Sequence, residues 1–342
     1  NKAIVSIASD ENHNHNDYIS WEQTTSLPSE SGSYILKNDI NLSASWMVNS
    51  EITLCLDGHN IINDGGNCVT INNGGVLTID DCSNLEHKFS KTTDGETAGL
   101  WVLDETNGDN VVSGGCIMGI NPVSSHTDGI GFFLNSGGTF ILNGGNIVGS
   151  YARNYGGGIN VCGDFIMNGG SICGNKATRG GAVNISNTGK FVMNGGYIHD
   201  NTADYGAGVY AEGAFNMLGG NITDNEATVN GGGLYCFGNS VCVLTGGNIT
   251  DNTSETSAGV YYRQEMCLAK GTPITMSDGS KKQIEYLNIG DSIRVFDHDQ
   301  GEISSSKIFG LSFSRIDFEA NEIAIIAINF GDTAVCVDID FS

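Results

Sequence analysis

One phrase returns along this chain at nearly constant spacing. Asn-Gly-Gly-x-Ile stands at 143–147, 168–172 and 194–198, and a looser Gly-Gly-Asn-Ile follows at 219–222 and 246–249. The second glycines fall at 145, 170, 196, 220 and 247, so the steps are 25, 26, 24 and 27 residues. A second phrase keeps the same period: GGGIN at 156–160, GGAVN at 180–184, GAGVY at 206–210, GGGLY at 231–235 and SAGVY at 257–261. Two phrases sharing one period define a repeat. A unit this short cannot bury an apolar face alone, so the units must stack.

Each unit holds short alternating segments, such as Phe165 to Met167 and Ile159 to Val161, separated by glycine and asparagine clusters. No 3.6-residue apolar spacing is present, so the segments read as strands. About 25 residues fit one rung of a parallel β-helix, with each strand pairing one period away. Ile147, Ile172, Ile198, Ile222 and Ile249 then form one inward column, and Phe140, Phe165, Phe191 and Phe215 another. Five residues past each second glycine stand Ser150, Asn175, Asn201, Asn225 and Asn252. Asparagine tolerates the left-handed backbone of a sharp corner, and stacked amides can bond down a ladder. Calcium-binding corners are the alternative, but the spacing is wrong for them. Asp200, Asp224 and Asp251 form an acidic column that recurs, and so reads as structural. The N-x-[ST] triplets at Asn41, Asn184, Asn221, Asn248 and Asn252 read as by-products of the repeat rather than glycosylation sites.

Residues 18–142 read as the same architecture with decayed regularity, with SGGCI at 113–117 an early rung, and 143–266 as the regular repeats. Residues 1–17 read as a polar tail, in which His13 and His15 could hold a metal but are expected to be exposed. The chain has 49 glycines and only 3 prolines, which assigns the glycine to turns of a folded repeat rather than to disorder. The net charge of −24 argues against nucleic acid and against anionic membrane surfaces. No run of 18 apolar residues crosses a membrane. Ten cysteines without a CxxC pair argue against zinc or cluster motifs; most read as small buried hydrophobes, with disulfides open. No cofactor and no metal are expected. Beginning at Asn1 and stopping after an apolar stretch, the chain reads as a piece of a longer protein.

The character changes at Cys267. From there CLAKGTPITMSDGSKKQIEYLNIGDSIRVFD has neither glycine ladder nor repeat. Asp278-Gly279 is a pair that closes a tight hairpin.

Two resemblances follow. With LCLDGHNI at 54–61, LWVLDE at 100–105 and the serial NGGxI, the first 266 residues resemble the glycine-rich right-handed parallel β-helix repeats of bacterial cell-surface proteins, close in style to polymorphic outer-membrane repeats. That implies a secreted or surface-displayed, monomeric protein whose partner is a surface ligand or glycan. Residues 267–342 resemble the N-terminal part of a Hint domain, the fold of inteins and hedgehog autoprocessing domains, through Cys267 to Thr272, Ile274 to Ser280, Ile284 to Asp291 and Ile293 to Asp297. The expected class is all-β: a parallel β-helix followed by a small, incomplete Hint-type domain.

The second resemblance implies single-turnover self-cleavage. Cys267 would be the nucleophile, the Met266 carbonyl the scissile centre, and Thr272 a further motif residue, with an N-to-S acyl shift giving a thioester. The family's Thr-x-x-His donor falls on Cys336-Val-Asp-Ile339, where isoleucine cannot give a proton. The only histidine after the junction, His298, reads as solvated in its DHDQG turn, and the closing His-Asn pair is absent. An inactive, truncated module is therefore expected beside the active one. Two further classes compete: a purely structural or adhesive surface repeat with a remnant tail, and a carbohydrate-active β-helix, for which Arg153, Lys176, Arg179 and Lys190 are the main repeat cations.

Overall fold

The computed structural model describes residues 15–63, 66–119, 131–238, 240–263, 266–269, 273–278, 280–283, 292–297, 302–307, 310–318, 321–329 and 336–337. The chain divides into two compact units, Asn1–Tyr261 and Tyr262–Ser342.

The first unit is a parallel β-solenoid of eight turns with almost no helix. Each turn places one strand on each of three faces. The regular turns show this plainly: Thr139–Leu142, Asn146–Val148 and Ile159–Val161 make one, and Asp164–Met167, Ser171–Cys173 and Val183–Ile185 the next. The first face carries nine strands, because Ile19–Trp21 adds to its starting edge, and the other two carry eight each. Register is kept without slippage on these three faces, as in Phe165↔Phe191 and Ile172↔Ile198. It shifts where Thr202–Tyr205 pairs with Glu226–Asn230 at a corner, between Ala203 and Tyr205.

Alternation within each three- or four-residue strand sends one or two apolar side chains inward, and the period superposes them. The isoleucine column runs as expected through Ile147, Ile172, Ile198, Ile222 and Ile249, and it begins earlier, with Ile40, Ile61 and Ile117. The phenylalanines stack with ring centroids 5.1 Å apart for Phe140–Phe165, 4.5 Å for Phe165–Phe191 and 5.1 Å for Phe191–Phe215. Phe132, from a neighbouring face, joins at 4.5 Å. These rings are fully buried or nearly so, and each is worth about 1.5–3 kcal/mol in removal from water.

The corners explain the two phrases. The second glycine of NGGxI takes φ between 72° and 85°, and a Cβ on Gly170 would lie 2.4 Å from the Gly145 carbonyl oxygen of the rung before. No L side chain fits there. At the next corner the expectation needs correction. Asn175, Asn201 and Asn225 are not the left-handed residues. That conformation belongs to the residue just before them: Gly149, Gly174, Asp200 (φ 54°), Asp224 (φ 55°) and Asp251 (φ 57°). The asparagines instead form the amide ladder, fully buried from Asn175 to Asn225. Further ladders, not foreseen, run outside it, for example Asn194 to Asn168 to Asn143 at 2.8 Å per step.

The irregular half departs from a decayed repeat in one place. Between the strands Val76–Asp80 and Cys116–Gly119 the chain leaves the solenoid as an antiparallel three-stranded sheet of Glu86–Lys91, Trp101–Leu103 and Asn110–Ser113. It then returns in register, with Ile117 paired to Ile61. Phe89, Trp101 and Val112 pack this sheet onto Cys116, Met118, Val148 and Cys173. Asp81 braces its base by accepting hydrogen bonds from the backbone N–H groups of Gly58 (3.1 Å), Ser83 (3.0 Å) and Gly115.

The second unit is antiparallel in all its described pairings. Gly310–Phe318 pairs with Asn321–Asn329, which also pairs with Met266–Ala269. Pro273–Thr275 pairs with Lys281–Gln283 around Asp278, as the sequence predicts. Ser292–Asp297 lies between Glu302–Lys307 and Cys336–Val337. No helix among the described residues is long and apolar enough to cross a membrane.

Candidate functional site

The junction residues lie in a strand. Met266 and Cys267 open Met266–Ala269, where they pair with Ile328 and Ala327. Thr272, His298 and Ile339 lie outside the described residues. Cys336, where the resemblance sets the family threonine, pairs with Phe296 in a different sheet from Cys267.

The four main cations of the regular repeats are all engaged. Arg153 Nη2 sits 3.4 Å from Glu96, and Lys176 Nζ donates to the Ala98 carbonyl at 2.6 Å; both hold the antiparallel excursion to the rungs. Burial pulls the Lys176 amine below its usual range. The Arg179 guanidinium lies 5.2 Å from the Tyr155 ring and 5.8 Å from the Tyr210 ring. Lys190 Nζ is 3.7 Å from Asp164. The acidic column is likewise explained, since Asp200, Asp224 and Asp251 hold left-handed corners.

Sequence reasoning missed a constellation within the regular rungs. Ser171 Oγ is 2.9 Å from His199 Nε2, and His199 Nδ1 is 2.7 Å from Asp200 Oδ2. With Nδ1 protonated, the ring donates to the carboxylate and accepts from the serine, the order of a hydrolase relay. Burial decides its role. Ser171 is 2 % exposed and His199 3 %, and Trp101 meets the His199 ring edge-on at 6.0 Å. A hydroxyl closed off in this way meets no substrate; the relay satisfies a histidine under the docked excursion. The signal is a single outward histidine in a column otherwise made of Val148, Cys173, Thr223 and Thr250.

The cysteines also sort by environment. Cys236 and Cys242 form a disulfide, while Cys68, Cys116 and Cys173 are buried free thiols. Burial pushes Cys68 up to about 12 and holds Cys116 and Cys173 well above the usual thiol range, which keeps them protonated and inert.

Comparison with known protein families, with curated proteins and with solved structures finds no match.

Proposed function

We propose that the chain is a secreted or cell-surface right-handed β-helix, of the polymorphic outer-membrane-like kind, joined to a Hint-type module whose reaction is self-cleavage at Met266–Cys267. One observation carries this reading: the parallel solenoid ends at Tyr261, and an antiparallel unit begins within a few residues of the cysteine at which the sequence changes character.

The chemistry is an acyl transfer. The Cys267 sulfur attacks the Met266 carbonyl carbon, the C–N bond breaks as a C–S bond forms, and the thiol proton passes to the released α-amine of Cys267. Water then cleaves the thioester, leaving a Met266 carboxylate and regenerating the thiol. Protonation of the departing amine needs a donor. With isoleucine at 339 in place of the family histidine, the reaction is slow and runs once. The released solenoid serves as a binding or adhesive surface for a ligand or glycan, its 27 acidic residues against 9 basic over residues 1–266 keeping it soluble and away from polyanions.

A purely structural reading, with the tail a remnant, is favoured by one feature: both junction residues are paired inside a strand ladder. Mass spectrometry of the full chain separates the two. A fragment ending at Met266, released faster by hydroxylamine and lost in Cys267→Ala, is expected for processing. A wild-type chain that stays intact through prolonged incubation with hydroxylamine rejects it in favour of the remnant.

A further inference from the structure

At the corner after the first face, three metal-binding side chains from distant parts of the chain converge. A ring nitrogen of His15 and the Sγ atoms of Cys55 and Cys82 all lie within 4.8 Å of one another. Cys55 ends the strand Glu51–Cys55, and Cys82 follows the strand stacked on it, Val76–Asp80, so two rungs set the thiols 3.6 Å apart. His15 opens the short turn His15–Asp17, which Tyr18 ties down by donating to Asp80 Oδ2 at 3.2 Å. Asp57 Oδ1 stands 3.5 Å from Cys82 Sγ, while its other oxygen pairs with Lys37 Nζ at 3.2 Å.

The spacing and the donors fit one ion. A tetrahedral zinc with Zn–S of about 2.3 Å has S···S edges of about 3.8 Å, close to the 3.6 Å seen here. Two sulfurs and an imidazole select zinc over magnesium or calcium, which take oxygen donors. The surroundings are anionic. The Asp57 carboxylate beside Cys82 is part of that field, and a divalent cation offsets it as the thiol protons leave. The backbone N–H of Asp57 hydrogen-bonds the Cys55 sulfur, a common outer contact of metal-bound sulfur.

We propose that His15, Cys55 and Cys82 form a zinc site that pins the N-terminal turn onto the first rungs of the solenoid. The ion takes two thiolates and a neutral imidazole, two protons go to solvent, and the fourth position holds water beside Asp57. The site ties the N-terminal turn to the corner that follows Glu51–Cys55 and Val76–Asp80.

Cobalt(II), added to the full chain after reduction and removal of metal, tests this directly. One equivalent is expected to bind with thiolate charge-transfer absorption and the strong visible bands of a tetrahedral ion, and zinc is expected to displace it. Cys55→Ser with Cys82→Ser should abolish the charge-transfer band, and His15→Ala should weaken binding by about 100-fold or more. Should the double variant not fold, zinc on the wild type should still slow alkylation of Cys82, mapped by peptide mass, while leaving the half-exposed Cys162 unchanged. Absence of a thiolate band with both thiols shown to be reduced, or equal alkylation of Cys82 with and without zinc, overturns the site. So does a Cys55–Cys82 disulfide that forms in air even when zinc is present.

Discussion

The Oδ1 atom of Asn201 accepts two hydrogen bonds from Asn175 of the preceding rung, one from its backbone N–H and one from its Nδ2, each at 3.0 Å. Asn201 in turn donates from its own Nδ2 to the Ile172 carbonyl at 2.9 Å and to Asn225 Oδ1 at 2.9 Å. With a further bond from its Nδ2 to the His199 carbonyl at 2.8 Å, one amide satisfies groups on three rungs, and it is fully buried. Asn201→Ala strands at least one donor and one acceptor, so a loss of about 2–5 kcal/mol is expected from urea unfolding. Asn201→Asp keeps the acceptor but turns a carboxylate towards carbonyl oxygens, and it should be the worse variant at neutral pH and recover on acidification. Equal midpoints for all three proteins would refute the ladder's role.

Asp251 isolates the backbone contribution of the left-handed corner, because its side chain is exposed and its φ is 57°. Asp251→Val should be less stable than Asp251→Gly by about 1–2 kcal/mol, the cost of a β-branched residue in that region. Thermal unfolding of the pair is the measurement, and a valine variant as stable as the glycine one would contradict it.

The phenylalanine column makes a packing prediction. Phe191 is stacked between Phe165 at 4.5 Å and Phe215 at 5.1 Å, with 1 % exposure. Phe191→Ala should cost about 3–5 kcal/mol, and Phe191→Leu clearly less. Hydrogen exchange should show the loss concentrated in the adjoining rungs, since each rung contacts only its neighbours. Uniform loosening along the solenoid would count against a column of local contacts.

Asp81 gives the protein a pH signature. Burial raises its carboxyl above the usual value of 3.8, despite the three N–H groups that favour the charged form. A carboxyl that holds its proton more tightly when folded contributes stability that is fully present below the unfolded value and is lost as pH rises through the folded one. The stability of the wild type minus that of Asp81→Asn should therefore fall as pH is raised from 3.8, because the amide does not titrate. A difference that stays flat across pH would show that the carboxyl is not shifted.

The regular rungs were legible because period and chemistry agree: each NGGxI glycine and each inward Ile or Phe recurs where the stack needs it. The left-handed corner was misassigned by one position, since Asn and Asp both tolerate positive φ and stand side by side at 200–201, 224–225 and 251–252. The antiparallel excursion could not be read, because the alternation in Glu86–Lys91 looks the same whether its partner is a neighbour or the next rung. The junction was visible as a change of composition. Ser171 with His199, and His15 with Cys55 and Cys82, are joined only by the stacking of rungs, and nothing local marks them.

Ile61 and Ile117 are neighbours in one column although the whole antiparallel excursion lies between them. The corner after the first face therefore acts as a port: a segment can be spliced in there without disturbing the layers above or below, provided its two ends meet. An architecture of this kind can acquire a new appendage while its central column stays as it was.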